Sequence, residues 1–245
     1  MKYMRSKNRI YKDIIPILVD VMEKENITTF VDAFCGGCSI IENIPQKYHR
    51  IANDNNKYLI AMLSHLTEKK DIYPRYIDKE LYSKARDCFH GKNNSYDDDM
   101  VGWIGFMASY NGRFFDGGYS GHNVKIKNNK IRDYVTENIN NTLEQVPLLK
   151  DIEWHYGDYR DLNIPEHSLV YCDIPYKGTK QYSTSKDFDY DAFYMWCRLM
   201  NRKGHRIFVS EYDMPKDFKC VWQKEITNAM HQTNTKKPIE KLYAL

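Results

Sequence analysis

The sequence contains no run of about 18 apolar residues, the length that a membrane-spanning helix requires. Its basic first residues lead into a broken apolar pattern, which is not typical of an export signal. We therefore expect a cytoplasmic protein. At 245 residues, the chain is long enough for one domain that carries an insertion.

Cysteine is also sparse, with six residues scattered through the chain, and this excludes a disulfide-stapled scaffold. Cys35 and Cys38 form a Cys-x-x-Cys pair, a spacing used by redox centres and by half of a zinc site. No second pair and no histidine pair at ligand spacing accompanies it. We therefore predict that the protein binds no metal.

Excess charge of one sign is nearly absent, because 36 lysines and arginines face 33 aspartates and glutamates. The resulting net charge of +3 does not by itself predict a polyanionic partner. Any interaction with nucleic acid must therefore be argued from local clusters of residues.

Four short apolar stretches are predicted to be strands. They cover residues 28–34, 49–53, 168–172 and 205–210. Apolar residues at helical spacing predict a helix over 10–26, with Asp13 as its cap and Pro16 in its first turn. Strands that alternate with helical stretches predict an open, doubly wound α/β sheet.

The middle of the chain departs from this alternation. It contains a Gly-, Phe- and Asn-rich stretch followed by a basic polar run over 122–132. We interpret 67–145 as an inserted recognition lobe, and 1–66 with 146–245 as the catalytic domain.

Two predicted strand ends carry residues suited to an adenosine-type cofactor. The segment 34–39, Phe-Cys-Gly-Gly-Cys-Ser, allows the backbone to approach a ligand because glycine lacks a Cβ. Asp54 ends the next strand, where a carboxylate can accept hydrogen bonds from ribose hydroxyls. The glycine pattern differs from the dinucleotide motif G-x-G-x-x-G, and an ordinary strand-to-helix turn remains the alternative.

The segment 173–176, Asp-Ile-Pro-Tyr, is suited to a flat base that carries an amino group. Asp173 can accept one N–H of the amine and the Ile174 carbonyl the other, which directs the nitrogen lone pair toward a methyl donor. Pro175 favours an extended conformation at the preceding residue, and Tyr176 can stack on the base. The alternative for this segment alone is a common strand-end turn.

Taken in order, these segments resemble the Dam-like DNA adenine methyltransferases, in which Asp-Pro-Pro-Tyr is the catalytic tetrapeptide. The resemblance spans nearly the whole chain. It implies a Rossmann-like, S-adenosylmethionine-dependent methyltransferase sheet with an inserted, mainly helical DNA-recognition lobe. Arg5, Cys38 and Ile174 stand where the family usually has glycine, glycine and proline.

The resemblance also implies a cofactor set and a reaction. The cofactor-binding residues would be Tyr3, Lys7, Phe34, Cys35, Gly36, Gly37, Asp54, Asp158, Tyr159 and Asp173. The catalytic residues would be Asp173, Pro175 and Tyr176. The expected reaction transfers a methyl group from S-adenosylmethionine to the N6 amine of adenine in double-stranded DNA, after the base is extruded from the helix.

The region 103–119 resembles the recognition region of the same family. Asn111 and Arg113 are predicted to contact bases or phosphates, and Phe114 or Tyr119 to fill the vacated stack. Trp103, Phe106 and Met107 are predicted to be core residues. Basic residues that could neutralise phosphates are Lys125, Lys127, Lys130, Arg132, Lys177 and Lys180.

Other functions remain open at this point. The same carboxylate, carbonyl and ring could serve the N4 amine of cytosine, and RNA is a further possible substrate. A silent DNA-binding scaffold would not need Asp54, Asp173 and Tyr176, and a small-molecule methyltransferase would leave the region around Asn111 unexplained. The recognition sequence, the oligomeric state and the biological role cannot be read from the residues.

Overall fold

A computed structural model of the protein describes residues 1, 3, 7–126, 129–177, 188–226 and 238–245. Within these residues, a seven-stranded sheet has the strand order β5-β2-β1-β6-β7-β9-β8, and a separate hairpin pairs β3 with β4. The strands are β1 (Thr29–Asp32), β2 (His49–Asp54), β3 (Val124–Lys125), β4 (Ile131–Arg132), β5 (Ile152–Tyr156), β6 (Leu169–Cys172), β7 (Arg206–Ser210), β8 (Lys219–Glu225) and β9 (Ile239–Ala244). The helices are α1 (Tyr11–Lys24), α2 (Lys57–Lys69), α3 (Lys79–Phe89), α4 (Asp98–Ala108), α5 (Tyr134–Gln145) and α6 (Tyr190–Arg202).

The centre of the sheet confirms the predicted doubly wound α/β fold. Strands β5, β2, β1, β6 and β7 are parallel to their neighbours. All four residues of β1 and of β6 are buried, as expected where helices cover both faces of a parallel sheet. The carboxyl ends of these strands therefore lie along one edge, where a doubly wound sheet binds its ligand.

Successive residues of the central strands pack on opposite faces of the sheet. Phe30 and Tyr171 belong to the hydrophobic cluster that contains the buried residues of α1, α2 and α4. Val31 and Val170 belong to a second cluster with the buried residues of α6. The two-residue period of a strand thus assigns each side chain to a face.

The far end of the sheet is antiparallel and was missed at the sequence level. Strand β9 lies between β7 and β8 and pairs antiparallel with both. Strand β5 was also missed. Both β5 and β8 are edge strands with mostly exposed or half-buried residues, so neither has the apolar run that identified the central strands.

Helix α1 is confirmed as an amphipathic helix, with Ile14, Leu18 and Met22 buried. Two details of its prediction were wrong. Ile10 occupies the cap position without a side-chain hydrogen bond, and Asp13 lies in the first turn, where its carboxylate accepts a hydrogen bond from Lys224 at 2.7 Å. Pro16 lies inside the helix, beyond the first turn.

The predicted lobe over 67–145 contains α3, α4, the β3-β4 hairpin and α5. Helix α4 is buried along almost its whole length, and Trp103, Phe106 and Met107 are confirmed as core residues. These side chains belong to the same hydrophobic cluster as Phe30 of β1. The lobe and the sheet therefore share one core, and the division of the chain into two units stays a prediction.

None of the described helices is both long enough and apolar enough to cross a membrane. The described residues also contain no group of three or more His, Cys, Asp or Glu side chains arranged around a possible metal ion.

Candidate active site

The Asp-Ile-Pro-Tyr turn begins directly after β6, at the centre of the sheet's carboxyl edge. The neighbouring strand β1 runs parallel to it, and Ala33 N–H donates to the Tyr171 carbonyl at 3.0 Å. The glycine turn that follows β1 therefore lies beside the turn that follows β6. Ile174 and Tyr176 are buried, while Asp173 and Pro175 are half-buried.

Lys7 links this turn to the start of the chain. Its ammonium lies 2.7 Å from Asp173 Oδ1 and donates a hydrogen bond to the Tyr176 hydroxyl. The side chain is only 5% exposed, so its charge is compensated within the protein. Lys7, predicted to help hold the cofactor, thus contacts two of the predicted catalytic residues.

A fourth side chain completes this cluster and was not predicted. Glu240 of β9 accepts a hydrogen bond from the Tyr176 hydroxyl at 2.6 Å, and its carboxylate lies 3.8 Å from the Lys7 ammonium. Burial is the main cause that raises the pKa of Tyr176 well above its usual value, and Asp173 and Glu240 raise it further. The hydroxyl therefore remains protonated at neutral pH.

The turn is also held from two other elements. Glu211, fully buried after β7, accepts a hydrogen bond from the backbone N–H of Lys177 at 3.0 Å. The hydroxyl of Tyr190, the first residue of α6, donates to the Pro175 carbonyl at 2.8 Å. These contacts fix the backbone on both sides of Tyr176, which limits the positions that its ring can adopt.

The glycine turn after β1 lies against Tyr3. A Cβ on Gly37 would lie 2.5 Å from Tyr3 Cβ, and a Cβ on Gly36 would lie 2.8 Å from the Tyr3 ring. Gly36 also has a φ of +45°, and Cys38 a φ of +64°, in the left-handed region that favours glycine. The family preference for glycine at the Cys38 position matches this backbone conformation. Cys35 is buried and carries a free thiol.

Asp54 joins the ends of two segments at this edge. One carboxylate oxygen accepts the Gly36 N–H at 3.0 Å, and the other accepts the Asn56 N–H at 2.9 Å. Burial raises the pKa of Asp54, and these backbone hydrogen bonds partly oppose the shift. The acid therefore holds the glycine turn, and its contact with a ribose stays a prediction.

The predicted cofactor residues Asp158 and Tyr159 follow β5. Tyr159 is buried, and its ring centroid lies 5.0 Å from that of Phe34. The Asp158 carboxylate is paired with Arg160 at 2.6 Å. The Asn53 side chain donates to the carbonyls of both Ala33 and Gly157, which ties the ends of β1 and β5 together. The predicted cofactor residues are thus gathered at one edge of the sheet.

The residues predicted to contact DNA occupy a compact loop after α4. Asn111 is half-buried and has a φ of +55°, and Arg113 is exposed. Phe114 stacks on Phe106 with ring centroids 4.5 Å apart, and the Tyr119 hydroxyl donates to the Ile77 carbonyl at 2.7 Å. Both rings therefore pack within the protein, and their entry into a DNA stack stays a prediction.

The basic residues lie on two parts of the surface. Lys125 and Lys130 are exposed on the β3-β4 hairpin, and Lys177 is exposed beside the catalytic turn. Arg132 pairs with Glu137 at 2.7 Å. Lys127 and Lys180 lie outside the described residues, as does Arg5.

Glu240, Glu211 and Tyr190 could not be found by local motif reading. Each lies in a different element from the turn that it contacts. One signal was available for Glu211, because it directly follows the predicted strand 205–210 and the ends of parallel strands lie at the same sheet edge. No comparable signal marked Glu240, because β9 itself was missed.

Comparisons with known proteins agree with the predicted family. The family model described as "D12 class N6 adenine-specific DNA methyltransferase" matches residues 6–196. A curated relative, the Type II methyltransferase M.MjaIII of Methanocaldococcus jannaschii, is 26% identical over 243 residues, which cover 86% of this chain and 82% of that protein. Among solved structures, SMU.472 in complex with SAH matches with 10% identity and a TM-score of 0.33. That match covers 93% of this chain, which spans about half (51%) of the SMU.472 chain.

Proposed function

The chain belongs to the D12 class of N6 adenine-specific DNA methyltransferases, and from this premise we propose that it methylates the N6 amine of an extruded adenine, with S-adenosylmethionine as the methyl donor. The observation that carries the proposal is the cluster of Lys7, Asp173 and Tyr176 at the carboxyl end of β6, beside the glycine turn that follows β1. A site for an amine and a site for a methyl donor would then share one edge of the sheet.

The residues at this edge fit the proposed cofactor. Gly36 and Gly37 provide backbone without side chains, and a Cβ at either position would overlap Tyr3. Asp54 places a carboxyl group at the same edge, which suits a ligand that carries ribose hydroxyls. When bound, S-adenosylmethionine supplies an electrophilic methyl group. Tyr3, Phe34, Cys35, Asp158 and Tyr159 would form the remainder of its site.

The protein's own task is to orient the amine. Asp173 would accept one N–H of the exocyclic amine, and the carbonyl of Ile174 the other, so that the nitrogen lone pair points away from both acceptors. Pro175 stiffens the turn, and its carbonyl is held by Tyr190. Since Lys7 can only donate hydrogen bonds and the Glu240 carboxylate can only accept them, the single hydroxyl proton of Tyr176 is committed to Glu240. Tyr176 would therefore contact the base through its ring.

The adenine amine must leave the base stack to reach this turn, because N6 is inaccessible to a closed pocket within a duplex. Extrusion costs a few kcal/mol, which contacts to the DNA must offset. We assign these contacts to Asn111 and Arg113, with Phe114 or Tyr119 filling the vacated position, and to the exposed lysines. The lysines of this set are Lys125, Lys127, Lys130 and Lys177.

The direct test is incubation with methyl-labelled S-adenosylmethionine and unmethylated genomic DNA, followed by nuclease digestion and mass spectrometry of the nucleosides. Labelled N6-methyladenine is the expected product. Labelled N4-methylcytosine would keep the amine chemistry but overturn the base assignment. Absence of label on DNA, together with label on RNA supplied in parallel, would overturn the substrate assignment.

Replacement of Asp173 tests the catalytic assignment. Asp173→Ala is expected to abolish methyl transfer, since the amine loses its main acceptor, while cofactor binding measured by calorimetry stays largely intact. Asp161→Ala, which removes an exposed aspartate from a nearby turn, is the control and should retain wild-type activity. Near-normal turnover by Asp173→Ala would refute the role.

A further inference from the structure

Strand β9, the last strand in the chain, delivers a second carboxylate to the candidate active site. Residues of β9 alternate between the two faces, and Leu242 packs in the cluster that contains Phe30 and α1. Glu240 lies two residues earlier and therefore faces the same side, where Lys7 precedes α1. The family match ends at residue 196, so it does not extend to this strand.

The Lys7 ammonium lies between two carboxylates, one of which is closer to it than the other. Its ammonium lies 2.7 Å from Asp173 and 3.8 Å from Glu240, with side-chain exposures of 5%, 21% and 15% for the three groups. One positive charge thus faces two negative charges in a mostly buried site, which leaves a net charge of about −1 when all three are ionised. Electrostatic interactions in such a site are screened less than at the surface.

We propose that Glu240 is a positioning residue for methyl transfer, which shares the Lys7 ammonium with Asp173 and holds the Tyr176 hydroxyl. The inference rests on the proposed function. By drawing part of the Lys7 charge to itself, Glu240 keeps Asp173 a strong acceptor for the amine N–H. The net negative charge would also stabilise the positive charge that develops on the amine nitrogen as its bond to the methyl group forms. In the same step the methyl–sulfur bond would break and its electron pair would leave with the sulfur of S-adenosylhomocysteine. The methylated amine would then lose its surplus proton to the Asp173 carboxylate that accepts its N–H.

The two roles of Glu240 can be separated by substitution. In Glu240→Gln, the amide oxygen can still accept the Tyr176 hydrogen bond, but the negative charge is lost. Tyr176→Phe removes the hydrogen bond and keeps the charge. Glu240→Ala removes both, and Glu240→Asp keeps the charge on a shorter side chain.

The measurement is the dependence of the initial methylation rate on S-adenosylmethionine concentration at saturating unmethylated DNA. Glu240→Gln is expected to lower kcat by roughly 10-fold to 100-fold with little change in KM, because the lost negative charge acts on the reacting state. Glu240→Asp should recover part of the loss. The matched control is Glu23→Gln in α1, which removes an exposed charge that pairs with Lys47. This variant should behave as wild type.

A Glu240→Gln kcat within about twofold of wild type would overturn the charge-sharing role. A Glu240→Asp variant as inactive as Glu240→Ala, with both variants folded by circular dichroism, would also overturn it. Failure of the proposed function is distinguishable, since it would appear as absence of methylated adenine with the wild-type protein. If the product is N4-methylcytosine, the same variants test Glu240 on that amine.

Discussion

At the scale of single residues, Gly37 is constrained by the side chain that covers it. A Cβ at this position would lie 2.5 Å from Tyr3 Cβ, which is fixed to the backbone and cannot rotate away. We expect Gly37→Ala to displace Tyr3 from the turn and to weaken S-adenosylmethionine binding by about 10-fold or more, equivalent to about 1.4 kcal/mol. Isothermal titration calorimetry measures this directly.

The control for Gly37→Ala is Gly204→Ala. Gly204 has a φ of +93° and no heavy atom within 4 Å of an added Cβ, so this substitution introduces backbone strain away from the site. It should lower thermal stability while cofactor affinity stays at the wild-type value. Equal affinities for Gly37→Ala and wild type would show that Tyr3 can shift without consequence for the cofactor.

The sequence allowed roles to be proposed for single residues whose chemistry lay within one short segment. Asp173 and Tyr176 were assigned because a carboxylate, a stiff turn and a ring follow one another directly. The partner of the Tyr176 hydroxyl lies 64 residues away in β9. Such a contact depends on strand order, which local spacing does not encode.

At the scale of elements, the basic β3-β4 hairpin is anchored through His122. One ring nitrogen contacts Asp133 at 2.8 Å and the other contacts the Ile77 carbonyl at 3.0 Å. Both partners present hydrogen-bond acceptors to the ring. The exposed Tyr76 ring stacks on it at 4.4 Å. The hairpin is thereby joined to the start of α5 and to the segment before α3.

Replacement of Lys125, Lys127 and Lys130 together tests whether this hairpin binds DNA. If each lysine neutralises one phosphate, the slope of log K against log salt should become shallower by about 0.9 for each lost contact. Fluorescence anisotropy at several salt concentrations gives the slope. The control replaces three exposed lysines elsewhere, at Lys24, Lys47 and Lys69. An unchanged slope in the hairpin variant would exclude the hairpin from the phosphate contacts.

Elements were predictable where burial imposed an uninterrupted apolar run. Strands β1 and β6 are buried at every residue and were found within one or two residues of their observed bounds. Strand β8 is exposed at six of its seven residues, so its sequence lacks both an apolar run and a clear alternation. Its identity as a strand comes from pairing with β9, which is a tertiary effect.

At the scale of the whole molecule, several acids are buried at the carboxyl edge of the sheet. Burial is the largest cause that raises the pKa of Asp32, Asp54 and Glu211, and Asp173 raises that of Asp32 further. The folded state therefore holds protons on these groups more tightly than the unfolded state does. Their contribution to stability is greatest below the unfolded pKa values and is lost as the pH rises through the folded values.

Asp32→Asn should show how strongly ionisation of a buried acid destabilises the folded state. Within the described residues, Asp32 Oδ1 is buried without a hydrogen-bond partner, so ionisation of this group opposes folding. The substitution is expected to raise Tm by roughly 2–4 °C at about pH 9, a change of about 1 kcal/mol, and to have less effect at about pH 5. Differential scanning fluorimetry without cofactor gives both values.

The control for pH is Asp217→Asn, because the Asp217 pKa is lowered, chiefly by a hydrogen bond from Arg198. Loss of the Asp217 carboxylate should reduce the thermal stability at the higher pH rather than increase it. A Tm difference between Asp32→Asn and wild type that stays constant across the pH range would contradict the assignment to ionisation.

The strand order has a consequence for synthesis of the protein on the ribosome. Strand β8 precedes β9 in the chain, yet its place in the sheet is beyond β9. A nascent chain that has reached β8 cannot add it to the sheet, and the backbone of β7 remains an open edge that other chains can pair with. Glu240 emerges with β9, so insertion of that one strand closes the open edge and brings the second carboxylate to Lys7.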